Sequence, residues 1–145
     1  MTTEKHFVGK VMVKAVVHDP VAQKVLTLHA PGILNELPGG RMNEGETLEA
    51  ALERELKEEL GLTPNDYWKP WFLNNEQCLH VTSGSTILSV SFVVPLKKRD
   101  TVLRFEEGVE GRWISEAEST FFPKAEMYPN CLNAVQAFWR SYRSA

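Results

Sequence analysis

Residues Gly40 to Leu62 read GRMNEGETLEAALERELKEELGL. Turning about 100° per residue from Thr47 to Leu60 gathers Leu48, Ala51, Leu52, Leu56 and Leu60 into one apolar stripe. Such a stripe is the face a helix buries against a core. Glu55, Glu58 and Glu59 fall inside or against it at i, i+3 and i+4, so their carboxylates converge. Glu53 and Lys57 point to solvent. The three acids also lie toward the C-terminal end of the helix, where the macrodipole disfavours negative charge. Anions clustered near a core are costly unless a cation compensates them. A divalent metal does so, and an all-oxygen donor set points to magnesium or manganese.

Outward from this helix, Thr47 is a plausible N-cap and Gly61 a C-terminal cap. Upstream, Val8 to Val17 and Lys24 to His29 read as strands, with a turn at His18-Asp19-Pro20. A short extended piece at Glu36 and Leu37 leads into the Pro38-Gly39-Gly40 loop. Downstream, Trp68 to Val81 and Thr86 to Leu96 form a hairpin through Ser83-Gly84-Ser85. Gly111 to Ile114 begins another strand, and Ser115 to Phe122 forms a short helix with a Ser115/Glu118 capping box. Asn130 caps a last helix whose apolar face is Leu132, Val135, Phe138 and Trp139. This order predicts an α/β/α sandwich around a central mixed β-sheet, in a single domain over residues 1–145.

Composition is that of a globular protein, with 43% apolar and 24% charged residues. A net charge of −3 argues against an extended nucleic-acid or membrane surface, though not against one bound nucleotide. The N-terminal run MTTEKHFVGKVMVKAVVHD is broken by charge throughout, so neither a signal peptide nor a membrane span is expected. Cys78 and Cys131 lack metal-site or disulfide spacing and read as buried free thiols, which suits a reducing cytoplasm. His6, His18, His29 and His80 are read as structural. Trp113 and the set Tyr67, Trp68, Trp71 and Phe72 are read as packing residues rather than base-stacking ones, and Lys97-Lys98-Arg99 as a solvated turn. Asn35 and Glu36 stand close to where a ligand of the glycine loop would lie.

The pattern Gly40, Glu46, Arg54-Glu55-Leu56, Glu58-Glu59, Gly61-Leu62 resembles the complete Nudix box of the Nudix hydrolases, with Leu37-Pro38-Gly39 ahead of it as in many members. Seven fixed residue types at roughly 5–7% usage each would coincide on the order of once in 10⁸ to 10⁹ starting positions. Beyond the box, the resemblance rests on the order of elements.

The resemblance implies hydrolysis of a nucleoside diphosphate linked to another group X, with Mg²⁺ as cofactor and Mn²⁺ as a substitute. It implies Glu58 and Glu59 as direct metal ligands together with the carbonyl of Gly39, and Glu55 as a ligand or as the base that orients water. Arg54 would hold a box glutamate, and Glu46 would support the site or an additional metal. Among the acids ahead of Trp113, Glu107 is the best match for one that completes the metal shell or acts as base, ahead of Glu106 and Glu110. A small chain fits cleavage of a nucleoside triphosphate, oxidised nucleotides included, to monophosphate and pyrophosphate. The alternative is an ADP-ribose or nucleotide-sugar pyrophosphatase. Cys78 and Leu79 stand where relatives acting on ADP-ribose or dinucleoside polyphosphates often carry proline or tyrosine. A non-catalytic nucleotide-binding regulator fits less well, since no box carboxylate is missing. A homodimer through the last helix or the edge strands is compatible with the pattern.

Overall fold

Strand β1 (Lys10–Asp19) carries the valine-rich run and forms the spine of the sheet. The computed structural model describes residues 5–80 and 83–144. Among these, β2 (Lys24–His29), β3 (Gly39–Arg41), β4 (Trp71–Leu79), β5 (Thr86–Pro95) and β6 (Glu110–Ser115) complete one mixed sheet of order β4-β5-β1-β2-β6, with β3 also paired to β1. The β1·β5 pair is parallel and the others are antiparallel.

Alternation along the strands builds two cores. Val13, Ala15 and Val17 of β1, with Val90, Phe92 and Val94 of β5, meet Ala51, Leu52, Leu56 and Leu60 of helix α1 (Leu48–Leu60). On the other face, Val16 and Val93 meet Leu132, Val135, Phe138 and Trp139 of helix α3 (Pro129–Ser144). The sandwich is therefore α/β/α. Burying each such leucine is worth about 1.5–3 kcal/mol. Truncating fully buried Leu56 to alanine would cost about 2–5 kcal/mol.

β1 and β2 pair only at His18↔Val25 and Asp19↔Lys24, then diverge. The segment running into the glycine loop fills the fork. Glu36 bridges Leu28 of β2, Pro38 accepts from Ala15 N–H at 2.8 Å, and Gly39–Arg41 pair with Met12–Lys14. This wedge faces α1 and places the start of the glycine-rich turn beside the helical acids.

Several expected boundaries move. β1 starts at Lys10, leaving Val8 exposed, and keeps His18 and Asp19 because both pair with β2. The turn follows them, held by the Asp19 carboxylate accepting from Val21 and Ala22 N–H. β4 starts at Trp71, after Pro70, which has no N–H for a ladder. It ends at Leu79, and the expected strand end at Val81 lies outside the described residues. The short helix α2 (Glu116–Thr120) is shorter than expected, but its Ser115/Glu118 capping box is present. Asn130 is not the cap of α3: it lies inside the first turn and donates to Ser89 Oγ. Thr47 does cap α1, accepting from Ala50 N–H.

Candidate active site

Arg54 organises one half of the site. Its Nε and Nη2 grip both oxygens of Glu46 at 2.8 and 2.9 Å. Its Nη1 reaches Glu55 at 2.9 Å and Glu58 at 3.3 Å, and Nη2 also donates to the Arg41 carbonyl at 2.9 Å. A guanidinium suits this work because its planar fork offers five donors at fixed angles. Glu46 in turn accepts from Asn43 N–H. The Arg54 and Asn43 hydrogen bonds hold the Glu46 carboxyl below its usual range.

Glu59 belongs to the other half. Its Oε2 accepts from Gly39 N–H at 3.0 Å. Burial pushes its carboxyl up to about 7, against the Gly39 hydrogen bond and Lys14, with Glu55 and Glu36 pushing the same way as burial. Two glycines make room. Gly39 has φ +140°, and a side chain there would run into the Val13 carbonyl. A Cβ on Gly40 would lie 2.5–2.8 Å from the Glu55 carboxyl atoms.

Behind the wedge, on the α3 face, Lys14 is buried to 4% exposure. Its Nζ donates to the Leu37 carbonyl at 3.2 Å and meets Glu36 at 3.5 Å. Burial alone would depress its ammonium, yet Cys131, Glu36 and Glu59 together hold it above its usual value. A small cavity of about 60 Å³ at the fork is lined by Leu28, Ile33, Glu36, Glu59 and Glu106, among others. It shares Ile33 and Glu36 with a cavity of about 280 Å³ lined by Lys14, Cys78, Tyr128 and Asn130. It shares His29 and Ile33 with a third, of about 420 Å³, lined by Asn35 and Arg112.

A family model described as NUDIX domain matches residues 10–134. The chain belongs to the Nudix hydrolase family. It is accordingly an enzyme of the pyrophosphohydrolase class. No curated protein matches it. Among solved structures, a NUDIX hydrolase from Nitrosomonas europaea is similar at 20% identity and TM-score 0.74, covering 92% of this chain and 90% of the other. The NUDIX domain of Shewanella oneidensis NrtR, complexed with ADP ribose, aligns at 18% identity and TM-score 0.72 over 94% and 90%. A structure titled for MutT of Aliivibrio salmonicida and Vibrio cholerae aligns at 22% identity and TM-score 0.63 over 87% and 96%. At these identities the likeness is one of fold.

Within the Nudix box, the structure brings Glu46, Arg54, Glu55 and Glu58 into one network and Glu59 onto Gly39. Glu58 lies outside the buried stripe, its side chain 57% exposed, whereas Glu55 is buried. The donors are hard oxygens, and the raised Glu59 carboxyl is one that a cation would relieve, so the residues fit a divalent ion. Among the described residues, no three His, Cys, Asp or Glu side chains are already gathered for a metal. Arg54 and Gly39 engage the carboxylates instead, and exposed Glu58 has room to turn.

Beyond the box, Glu106 and Glu107 are both exposed; Glu106 lines the cavity beside Glu59, and Glu107 lies in the turn that follows it. Trp113 packs on the α1 core as expected. Tyr67 is buried in the core and Phe72, though half exposed, packs edge-on against Phe92 on the sheet face, whereas Trp68 and Trp71 are more exposed than packing residues would be. Cys131 is buried, whereas Cys78 is only half-buried; both are free thiols. The burial of Lys14 behind the wedge was not legible in the sequence. Its sole signal is a lysine within a strand of valines.

Proposed function

We propose that this Nudix enzyme hydrolyses a nucleoside triphosphate to the monophosphate and pyrophosphate. The observation that carries this reading is adjacency: the 280 Å³ cavity shares Ile33 and Glu36 with the small cavity that Glu59 lines. Apolar and aromatic walls from Met12, Leu79, Ile87 and Tyr128, with Asn130 and His80 as polar groups, suit a nucleoside. Its phosphates would then run toward Gly39 and α1.

Glu58 and Glu59, with Glu55 and the Gly39 carbonyl, would hold Mg²⁺ or Mn²⁺. The ion supplies the positive charge that neutralises phosphate oxygens and favours ionised water. Arg54 keeps Glu55 in place while exposed Glu58 turns toward the ion, and Glu46 keeps Arg54 from swinging onto the substrate. Water attacks one phosphorus, a P–O bond to it forms, the anhydride P–O bond breaks, and one proton leaves the water. Glu106, at the cavity wall, is better placed than Glu107 to take that proton.

A second reading has its own support. The 420 Å³ cavity beyond Ile33 would accommodate a terminal sugar, as in ADP-ribose or a nucleotide sugar. Product analysis by phosphorus NMR across nucleoside triphosphates, ADP-ribose and nucleotide sugars, with magnesium or manganese, decides between them. Pyrophosphate from a triphosphate supports the first reading. Cleavage of ADP-ribose or a nucleotide sugar alone supports the second. Turnover of none overturns both.

A further inference from the structure

Lys14 is costly where it stands. It lies between Val13 and Ala15 in the valine-rich stretch of β1, is 4% exposed, and packs on the α3 face beside buried Cys131 and Leu37. Burying an ammonium there needs compensation. The side chain finds it on the wedge, at the Leu37 carbonyl (3.2 Å) and Glu36 carboxylate (3.5 Å). The wedge is held from several sides. Cys131 Sγ accepts from Leu37 N–H at 3.4 Å, Ala15 N–H donates to Pro38, and Glu59 takes Gly39 N–H. Lys14 holds it with a cation at Leu37, two residues upstream of Gly39, as Arg54 does downstream at the Arg41 carbonyl.

We propose that Lys14 is a positioning residue, whose buried ammonium fixes the Leu37–Pro38 peptide and the Glu36 carboxylate so that Gly39 meets Glu59. The inference rests on the hydrolase reading for its kinetic consequence but not for its structural one. Lys14 also borders the 280 Å³ cavity. A residue that bound substrate from there would govern KM, whereas a positioning residue governs kcat. A shift of the reacting geometry by about 1 Å costs on the order of 10²-fold.

The test is Lys14→Met, which keeps the chain length and removes both charge and donors, beside Lys14→Arg, which keeps them. The open cavity next to the side chain leaves room for the larger guanidinium. In metal-free protein, amide hydrogen exchange at Gly39 should rise about tenfold in Lys14→Met while Val93, across the sheet in β5, holds its native rate. Lys14→Arg should stay within about threefold of native at Gly39. Turnover in Lys14→Met should fall about 10- to 100-fold in kcat with KM within about threefold. An unmoved Gly39 amide overturns the proposal even if the chain hydrolyses none of the nucleotides tried. A raised KM with native kcat overturns it in favour of a substrate contact. If Lys14→Met does not fold, Lys14→Arg decides: a native-like Gly39 amide supports the proposal, and an opened one with an intact Val93 overturns it.

Discussion

The Gly39 amide and the Glu59 carboxylate meet at 3.0 Å, joining the wedge between β1 and β2 to the last turn of α1. A side chain at Gly39 would run into the Val13 carbonyl, so the contact depends on glycine there. It also sets one acid apart from the other two: Glu55 and Glu58 answer to Arg54, Glu59 to the backbone.

Gly40→Ala should therefore damage activity more than stability. The added methyl would lie 2.5–2.8 Å from the Glu55 carboxyl, which must turn aside and release Arg54. We expect kcat to fall about tenfold or more, with a loss in unfolding free energy of about 1–3 kcal/mol. Steady-state kinetics and urea denaturation measure both.

Arg54→Lys should behave almost as a deletion. A lysine is a point charge and cannot grip both oxygens of Glu46 while reaching Glu55. The ion pairs are partly exposed and screened by solvent, so the stability change should be small beside the kinetic one. The drop in kcat should be on the order of 10-fold or greater. Native turnover in the Arg54→Lys protein would remove Arg54 from the site.

The raised Glu59 carboxyl fixes the sign of a pH effect in metal-free protein. Its ordinary value is 4.5 and its folded value about 7, so between these the folded state holds more protons than the unfolded. The contribution is fully present below about 4.5 and lost as pH rises through about 7. Melting temperature should fall across that window in native protein, and Glu59→Gln should flatten this component. Equal slopes in the two proteins would contradict the assignment.

The two neighbouring acids ahead of β6 should separate. Glu106→Gln is expected to lower kcat by about 10²-fold and to remove one limb of its pH profile, while Glu107→Gln stays within about twofold of native. The reverse pattern would restore Glu107 as the functional acid.

The sandwich was legible because its signals are periodic. The leucine stripe of α1, the valines of β1 and the apolar run of β5 each declare a buried face. The box acids were legible because their spacing is fixed by one helix. The places of Lys14 and Asn130 were not, because each is set by long-range pairing: Lys14 through the fork, Asn130 through Ser89 on a distant strand; Glu106 stood among the candidate acids, but which of these lines the cavity depends on the local turn. The exposed aromatics near β4 escaped for a related reason, since an edge strand offers only one neighbour to cover them.

The most direct test of the central claim is turnover of the best nucleotide substrate by Glu59→Gln at saturating magnesium. Glutamine keeps an oxygen to accept from Gly39 N–H but carries no charge, so the fold should survive and the metal-free melting temperature should hold or rise. The expected loss of kcat is on the order of 10² or more. A near-native rate would contradict it.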